Sequence, residues 1–324
     1  MRPIGAGKGH SPTAAAIPHP GVYDQRMTRD IILRIIASIV IVFLIVALHR
    51  AITVGPRPNR PVFAAGRPLL FAHRGGSALA PENTLAAFRN GAELGADALQ
   101  LDVHLSADGQ LVVIQDDTVD RTTSGTGRVI DQTVTDLKQL DAGYHFTADD
   151  GATFPFRGQG VTIPTLAEVF AAFPDQIVNI DIKDPLPQAA QRLADDIAQA
   201  GAGDRVIVGS FHNDILAGFR DLAPDVATVA GPGETRISYL LQRLGLRFLH
   251  RALGDTYQVP LISGRFRLDT PTFIANAHKL NQRVDYGTID DPVEMRRLLE
   301  QGADGIITDR PDLAAEVFRS LGYK

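Results

Sequence analysis

Polar side chains interrupt two runs of the sequence that otherwise have the composition of buried β-strands. Gln100 and Asp102 lie two residues apart in "ALQLDVHL", and Asp181 and Lys183 have the same spacing in "VNIDIK". Residues two apart on a strand face the same side of the sheet, so each pair shares a face. Two carboxylates and an amide oxygen that converge from separate strands favour a hard divalent cation such as Mg²⁺ or Ca²⁺.

A third apolar run, "LLFAH", ends at His73 and is followed by Arg74. An arginine at a strand end can form a fork with a phosphate, and an imidazole exchanges a proton near neutral pH. Together with the Lys183 ammonium and a divalent cation, these groups predict a site that cleaves a phosphate ester.

Some of the same residues also have a purely structural interpretation. An aspartate near a strand end, such as Asp102 or Asp181, is often a helix N-cap or a loop residue. His73 could be a core histidine whose hydrogen bonds are satisfied, and Glu82 in "PENT" could be a first-turn carboxylate stabilised by a helix dipole. The residues alone leave both interpretations open.

The elements that must position these side chains follow a regular pattern. From residue 69 to the C-terminus, strand runs that are apolar on both faces alternate with amphipathic helical runs, which indicates an α/β fold with a buried parallel sheet. About eight such strands in roughly 255 residues predict a (β/α)8 barrel rather than an open doubly wound sheet. Residues 118–162 are rich in Gly and Asp, and we interpret them as an inserted subdomain or cap. In such a barrel the reactive side chains lie where the strands end, at the C-terminal face.

The N-terminal part of the chain predicts a membrane anchor. Residues 1–30 are rich in Pro, Gly and small residues and are expected to be disordered, and residues 31–50 are the predicted transmembrane helix. Only Arg34 interrupts the apolar run 31–48, whose helical length of roughly 27 Å is close to the thickness of a bilayer's hydrocarbon core. A cleaved signal peptide is the alternative, but no A-x-A cleavage pattern follows the run. Residues 51–68 are interpreted as a stiff linker, and arginines on both sides of the run leave only a slight preference for an extracytoplasmic barrel.

The composition excludes several classes of function. The net charge is −5 and the basic residues are scattered, so the chain lacks the electrostatic footprint of a nucleic-acid-binding protein. No cysteine is present, which excludes disulfides, thiolate metal sites and a cysteine nucleophile. Ser210 and His212 could suggest a serine hydrolase, but no third group or glycine elbow accompanies them.

Six motifs resemble those of a known family from residue 69 to the C-terminus. They are "FAHRGGSALAPENTLAAF", "LDVHLSADGQLVVIQDDTVDRTTSGTG", "IPTLAEVF", "VNIDIK", "SFH" and "GADGIITDRPD". In order and spacing they resemble the glycerophosphodiester phosphodiesterase family. The resemblance implies a TIM barrel with a small insertion, a divalent cation, and hydrolysis of glycerophosphodiesters to glycerol 3-phosphate and an alcohol.

The resemblance also implies roles for individual residues. The His of the family's H-R-G motif, here His73, pairs as acid and base with the His of an H-D motif, whose position Gln115 occupies. The adjoining Arg74 and Lys183 hold the phosphate. The family's metal ligands fall on three positions of two predicted strands: Gln100, Asp102 and Asp181.

Four positions depart from the family's pattern. Gln100 replaces a glutamate, and the lost negative charge should weaken cation binding. Gln115 replaces a histidine and cannot exchange a proton near pH 7. Asp181 is a carboxylate one methylene shorter than the usual glutamate. Gly287 stands where a tryptophan is usual, and its lack of a side chain would remove an aromatic wall of the substrate pocket. Glu82 is also assigned to substrate binding.

Two functional hypotheses follow from this pattern. The first is an active phosphodiesterase in which His73 transfers the proton and a neighbouring group such as His104 takes the place of Gln115. The second is a membrane-anchored pseudoenzyme that keeps the phosphate clamp of Arg74 and Lys183 but has lost turnover. In both, the ligand is a glycerophosphodiester or a lysophospholipid-like molecule.

Overall fold

The structure of the chain is a computed structural model that describes residues 22–53 and 55–324. The chain divides after Thr53 into two units. The first contains one long helix, α1 (Val22–Thr53), of which Met27–Arg50 is long and apolar enough to cross a membrane. This segment includes the whole apolar run in which the sequence predicts a membrane span.

Helix α1 is longer at both ends than the predicted span of residues 31–50. Residues 22–30 belong to the segment that was expected to be disordered, but they are helical, while residues 1–21 of that segment lie outside the described residues. Once the apolar run is helical, the cost of nucleation has been met, and each further residue adds a backbone hydrogen bond. The polar composition of residues 22–30 therefore does not decide their conformation.

In the described part of the second unit there are eleven strands: β1 (Leu69–Ala72), β2 (Ala98–Leu105), β3 (Leu111–Val113), β4 (Ile177–Ile182), β5 (Val206–Ser210), β6 (Ala227–Thr228), β7 (Thr256–Val259), β8 (Ile262–Ser263), β9 (Phe266–Arg267), β10 (Arg283–Gly287) and β11 (Gly305–Thr308). Eight of them are parallel neighbours in the order β6-β5-β4-β2-β1-β11-β10-β7. A parallel bridge between Val229 and Thr256 joins the two ends of this order and closes the ring. The predicted (β/α)8 barrel is thus confirmed.

The remaining three strands lie outside the ring. Strand β3 pairs antiparallel with β2, and β8 and β9 form a separate hairpin. The barrel strands are rich in β-branched residues and most are buried on both faces, as parallel strands covered by helices must be.

Over residues 55–324 this unit has nine α-helices: α2 (Leu85–Glu93), α3 (Val134–Leu137), α4 (Leu166–Ala172), α5 (Pro187–Gln199), α6 (Asn213–Leu222), α7 (Pro232–Arg243), α8 (Pro271–His278), α9 (Pro292–Glu300) and α10 (Pro311–Ser320). Five of them begin with proline, whose missing N–H costs no hydrogen bond at that position. The Thr84 side chain caps α2 by accepting a hydrogen bond from the Ala87 N–H. Helices α5, α6, α7, α9 and α10 begin three to five residues after the strands that precede them, which leaves short loops at those places on the C-terminal face of the barrel.

Residues 118–162, the predicted insertion, lie between β3 and α4 and contain a 3₁₀ turn at Val129–Asp131 and the short helix α3. Their apolar side chains form a small cluster of their own. Val119, Val129 and Leu137 pack there with Val112 and Ile114 from around β3. The segment is therefore attached to the barrel through the β2–β3 hairpin.

Part of the predicted linker at residues 51–68 is packed against the barrel. Pro61–Phe63 forms a 3₁₀ turn, and Val62 is buried among residues that begin strands, including Leu69 and Ala98. Arg57 and Arg60 both form ion pairs with the buried Asp255 just before β7. The segment is Pro-rich, but it covers the N-terminal end of the barrel because it also carries an apolar side chain and two arginines with a buried partner.

Candidate active site

A cavity of about 460 Å³ lies at the C-terminal ends of the barrel strands. This volume is within the range of small-molecule sites. Eight of the nine residues predicted for the site line the cavity: His73, Arg74, Gln100, Asp102, Gln115, Asp181, Lys183 and Gly287. The ninth, Glu82, accepts a hydrogen bond from Arg74 Nη1 at 2.9 Å. The structure therefore brings all nine residues together in one place.

Asp102 and Asp181 lie opposite each other on the neighbouring strands β2 and β4. The Lys183 ammonium bridges them, with Nζ 3.0 Å from Asp102 Oδ1 and 2.6 Å from Asp181 Oδ2. Burial raises the pKa of Asp181 in spite of Lys183. Burial also opposes the charge of Lys183, but the two carboxylates outweigh it and raise the pKa of the ammonium. The pair is thus a largely buried anionic site that already holds one positive charge.

Asp102 has further partners that fix its orientation. Asn83 Nδ2 donates to Asp102 Oδ2 at 3.0 Å, and Arg74 Nε lies 3.3 Å from the same oxygen. The Arg74 N–H donates to Gln100 Oε1 at 3.0 Å, and Gln100 Nε2 lies 3.3 Å from Asp102 Oδ1. Gln100 therefore turns its amide nitrogen, and not its oxygen, toward the carboxylate.

The carboxylate pair fits a small divalent cation better than Gln100 does. Asp102 and Asp181 offer hard oxygen ligands and already hold an ammonium between them, which a metal ion would have to displace. Gln100 can present its oxygen only by giving up the hydrogen bond from Arg74. Among the described residues no group of three or more His, Cys, Asp or Glu side chains is placed to hold a metal ion. Asp102 and Asp181 are therefore the residues that could hold a cation here.

His73 forms a pair with Asp309, a residue that follows β11. The distance between His73 Nδ1 and Asp309 Oδ1 is 2.7 Å, and the Ser77 hydroxyl donates to the same oxygen. Burial opposes the charge of Asp309, but these hydrogen bonds outweigh it and lower the pKa of the carboxyl. His73 Nε2 has no hydrogen-bond partner among the described residues, so it is available to a ligand. Sequence reasoning assigned no role to Asp309, although its place directly after a strand was a usable signal.

Gln115 lines the cavity, and its side-chain oxygen is buried without a hydrogen-bond partner in the described part of the chain. His104, the predicted substitute for a second acid or base, is engaged elsewhere. Its Nδ1 lies 2.8 Å from Asp184 Oδ1 and its Nε2 lies 3.2 Å from the backbone oxygen of Gln115. Because both ring nitrogens are occupied and the ring does not line the cavity, His104 is not placed to act on a ligand.

An arginine from the inserted segment extends the charged network. Arg121 donates to both oxygens of Glu82 at 2.8 Å and to Asp116 at 2.7 Å. Glu82 is thus shared between Arg121 and Arg74. The sequence did not identify Arg121, because nothing in it shows which part of the insertion returns to the strand ends.

Gly287 ends β10 and lines the cavity. A Cβ atom at this position would lie 2.6 Å from the Ile307 Cβ on the neighbouring strand β11. The close approach of the two strands therefore requires glycine here. This packing leaves no room for the tryptophan side chain that is usual at this position in the family.

The opposite side of the cavity is apolar. It is formed by residues that follow or end β6 and β7, by α7 and by the β8–β9 hairpin: Val229, Ala230, Tyr239, Val259, Pro260, Phe266 and Leu268. The Tyr239 and Phe266 rings are in contact, with their centroids 4.9 Å apart. We call this set the apolar side, and the residues from β1, β2 and β4 the polar side. The sequence did not reveal the apolar side, because such residues have the same composition as the core.

A comparison with known proteins identifies the family. Residues 73–313 match the model of the glycerophosphoryl diester phosphodiesterase family. The glycerophosphodiester phosphodiesterase of Caldanaerobacter subterraneus subsp. tengcongensis is 38% identical over 260 residues, which cover 78% of this chain and 99% of the relative.

Solved structures with the same fold support the match. A glycerophosphodiester phosphodiesterase from Agrobacterium tumefaciens has 29% identity and a TM-score of 0.63, covering 77% of this chain and 99% of the other. A phosphodiesterase from Oleispira antarctica, solved in complex with the product sn-glycerol-3-phosphate, has 25% identity and a TM-score of 0.63, covering 79% and 99%. By sequence and by fold, this chain belongs to the glycerophosphoryl diester phosphodiesterase family.

Proposed function

We propose that the chain hydrolyses a glycerophosphodiester to glycerol 3-phosphate and an alcohol, with His73 as the group that transfers the proton. The observation that carries the proposal is the pairing of His73 with Asp309 at the same cavity as the carboxylates bridged by Lys183. The product bound to the Oleispira phosphodiesterase supports the choice of product.

Arg74 and Lys183 supply the positive charge that a phosphodiester requires. In the free protein both are held by Asp102, and Lys183 is held by Asp181 as well. A phosphate in the cavity competes with these carboxylates for the two cations. Binding of the substrate is therefore coupled to release of Lys183 from the carboxylate pair.

Asp102 and Asp181 are the residues that would hold a divalent cation in the place that Lys183 leaves. When bound, such a cation draws charge from the phosphoryl oxygens and makes the phosphorus easier to attack. Mg²⁺ and Ca²⁺ both suit carboxylate oxygens. Gln100 contributes by holding the Arg74 backbone and not by direct ligation.

His73 moves the proton at Nε2. The carboxylate of Asp309 accepts a hydrogen bond from Nδ1–H, which fixes the tautomer and leaves Nε2 facing the cavity. Asp309 acts through His73 and is a positioning residue. Ser77 holds the same carboxylate oxygen and limits its movement.

Gln115 cannot serve as the second acid or base. Its unpaired side-chain oxygen can still accept a hydrogen bond from a water or from a substrate hydroxyl and so orient it. A single proton-transfer group predicts turnover that is slower by about 10²- to 10⁴-fold than with two. The same residue favours the second candidate function, a phosphodiester-binding pseudoenzyme that retains Arg74 and Lys183.

We also propose that α1 anchors the chain in a membrane, with the barrel outside the cytoplasm. The length and apolar character of Met27–Arg50 support the anchor. If it does anchor the chain, full-length protein stays in the membrane fraction after alkaline extraction. A shorter protein in the soluble fraction would indicate a cleaved signal sequence instead.

The test of the enzymatic proposal is hydrolysis of glycerophosphocholine in the presence of Mg²⁺ or Ca²⁺. His73→Ala should abolish release of choline. His278→Ala is the matched control, because His278 also pairs with an aspartate, Asp304, but on α8 away from the cavity. Release that persists in His73→Ala would contradict the assigned role. No release from the unmodified chain, together with measurable binding of glycerophosphocholine, would favour the pseudoenzyme.

A further inference from the structure

The cations on the polar side of the cavity are already paired in the free protein. Arg74 contacts Asp102 and Glu82. Lys183 lies between Asp102 and Asp181. Each of these two cations therefore has two carboxylate partners, and together they account for the binding of one phosphodiester.

Arg236 on α7 lines the same cavity and differs from them. It lies three residues before Tyr239 of the apolar side, and residues at this spacing are neighbours on a helix surface. Arg236 is exposed and has no hydrogen-bond or ion-pair partner among the described residues. Glu234, the acidic residue nearest to it in sequence, is held by Arg220 from α6. Beside the apolar side, the cavity thus has one positive charge without a counter-charge.

Two hydroxyl groups that line the cavity are free as well. Ser263 lies on the β8–β9 hairpin, which also carries Phe266 of the apolar side, and Thr288 follows β10. In the described part of the chain neither hydroxyl has a hydrogen-bond partner. A guanidinium and hydroxyl groups can all donate hydrogen bonds to the oxygens of a carboxylate or a phosphate. These groups therefore suit an anionic part of a ligand.

A cationic part of a ligand finds no comparable partner in the cavity. Among the described residues that line it, only Asp102 and Asp181 are carboxylates, and Lys183 holds both. The faces of the Tyr239 and Phe266 rings can attract an ammonium group, but Arg236 is a neighbour of Tyr239 on α7 and repels a second cation. The charge on this side of the cavity therefore favours an anion.

We propose that the alcohol moiety of the glycerophosphodiester carries a negative charge of its own, and that Arg236 is the residue that selects it. The phosphodiester binds at Arg74 and Lys183, while the carboxylate or phosphate of the alcohol binds at Arg236. The turnover of this ligand rests on the proposed function, but the selectivity in binding does not.

The reaction with this substrate is the hydrolysis already proposed. The oxygen of a water molecule forms a bond to phosphorus, and the bond from phosphorus to the alcohol oxygen breaks. The departing oxygen takes up a proton. The products are glycerol 3-phosphate and an alcohol that keeps its own anionic group.

Three esters of glycerol 3-phosphate test the selectivity, because their alcohols are similar in size and differ in charge. The alcohols are glycolate, which is negative, 1-propanol, which is neutral, and ethanolamine, which is positive. Binding to the full-length protein in neutral detergent is measured by calorimetry, and hydrolysis by release of glycerol 3-phosphate. We expect the glycolate ester to bind most tightly and the ethanolamine ester most weakly, with a smaller difference at high salt, where exposed charges are screened.

Arg236→Gln removes the charge and keeps a polar side chain. Because an exposed charge changes the affinity for an opposite charge by up to about fivefold, and for a like charge by as much in the other direction, the ratio of glycolate-ester to ethanolamine-ester affinity should fall by about 25-fold. Arg236→Lys should keep most of the ratio. Arg243→Gln is the matched control, since Arg243 is also exposed and ends the same helix but does not line the cavity.

The outcomes separate this inference from the proposed function. An equal affinity ratio in the native chain and in Arg236→Gln would overturn the role of Arg236, and so would an equal fall in Arg243→Gln. Tightest binding of the ethanolamine ester by the native chain would overturn the anionic alcohol and indicate that the aromatic rings hold a cation. If none of the three esters is hydrolysed, the proposed function fails, and the affinity ratio still decides the charge of the alcohol.

Discussion

The two sides of the cavity hold their residues in place by different physics. On the polar side, Asp102 has hydrogen-bond or ion-pair contacts with side chains from three other segments of the chain, Asn83, Arg74 and Lys183. On the apolar side, the side chains of Val259 and Leu268 are held by packing alone. Directional contacts fix where a phosphate must lie, whereas packing sets only the volume and polarity that are left for the rest of the ligand. The loss of a contact on the polar side should therefore have a larger and more specific effect than the loss of a contact on the apolar side.

The largest expected effect is a gain in the rate of hydrolysis from substitutions on the polar side. Gln115→His, with Gln100→Glu, restores a second group that can exchange a proton and adds a third carboxylate beside Asp102 and Asp181. Hydrolysis of glycerophosphocholine should rise by about 10²- to 10⁴-fold, since a positioned acid or base contributes that much. Steady-state assays over a range of Mg²⁺ concentrations measure this.

Gln115→Leu is the control for that substitution, because leucine has a similar size and no polar atom. It should not raise the rate. An equal rate in the His and Leu variants would mean that the second proton-transfer position is not needed, and the site would then work with His73 alone.

The next effect is a loss of stability on the polar side. Asp102→Ala leaves Lys183 and Arg74 largely buried with fewer counter-charges, and removing one partner of a buried ion pair costs about 3 to 5 kcal/mol. The free energy of unfolding from urea titration measures it. A loss below about 1 kcal/mol would show that water replaces the carboxylate at no great cost.

A smaller loss is expected on the apolar side. Val259→Ala removes two methyl groups from a buried position, which at about 0.8 kcal/mol each and with a small cavity amounts to about 2 kcal/mol. The same urea titration compares it directly with Asp102→Ala. A larger loss for Val259→Ala than for Asp102→Ala would reverse the comparison between the two sides.

The polar side was accessible to sequence reasoning, because polar residues in apolar strands are rare. The spacing of Gln100 with Asp102 and of Asp181 with Lys183 places each pair on one face, and parallel strands bring both faces to one end of the barrel. The barrel itself followed from the alternation of strands and helices. What the spacing could not show is that Lys183 occupies the place between the carboxylates.

The sequence could not predict contacts that depend on closure of the barrel or on the inserted segment. Asp309 reaches His73 across 236 residues only because β11 is the neighbour of β1. Arg121 reaches Glu82 through an irregular segment with no periodicity to follow. On the apolar side, Val259 and Phe266 have the composition of core residues, and only the three-dimensional structure shows that they line a cavity.

The smallest expected effect is on the acid side of the stability curve. The pKa of Asp309 is lowered from its ordinary value of 3.8, because hydrogen bonds from His73 and Ser77 outweigh the opposing effect of burial. Such a carboxylate stabilises the fold above its unfolded-state pKa, and this contribution is lost as the pH falls through the lower folded-state pKa. Asp309→Asn should therefore reduce the fall in the free energy of unfolding below about pH 4, as measured by urea titration at several pH values. Val259→Ala should shift the whole curve by the same amount at every pH, because no proton is bound or released on the apolar side. Parallel curves for the native chain and for Asp309→Asn would mean that the pKa of Asp309 is the same in the folded and the unfolded chain, which would contradict its role in holding His73.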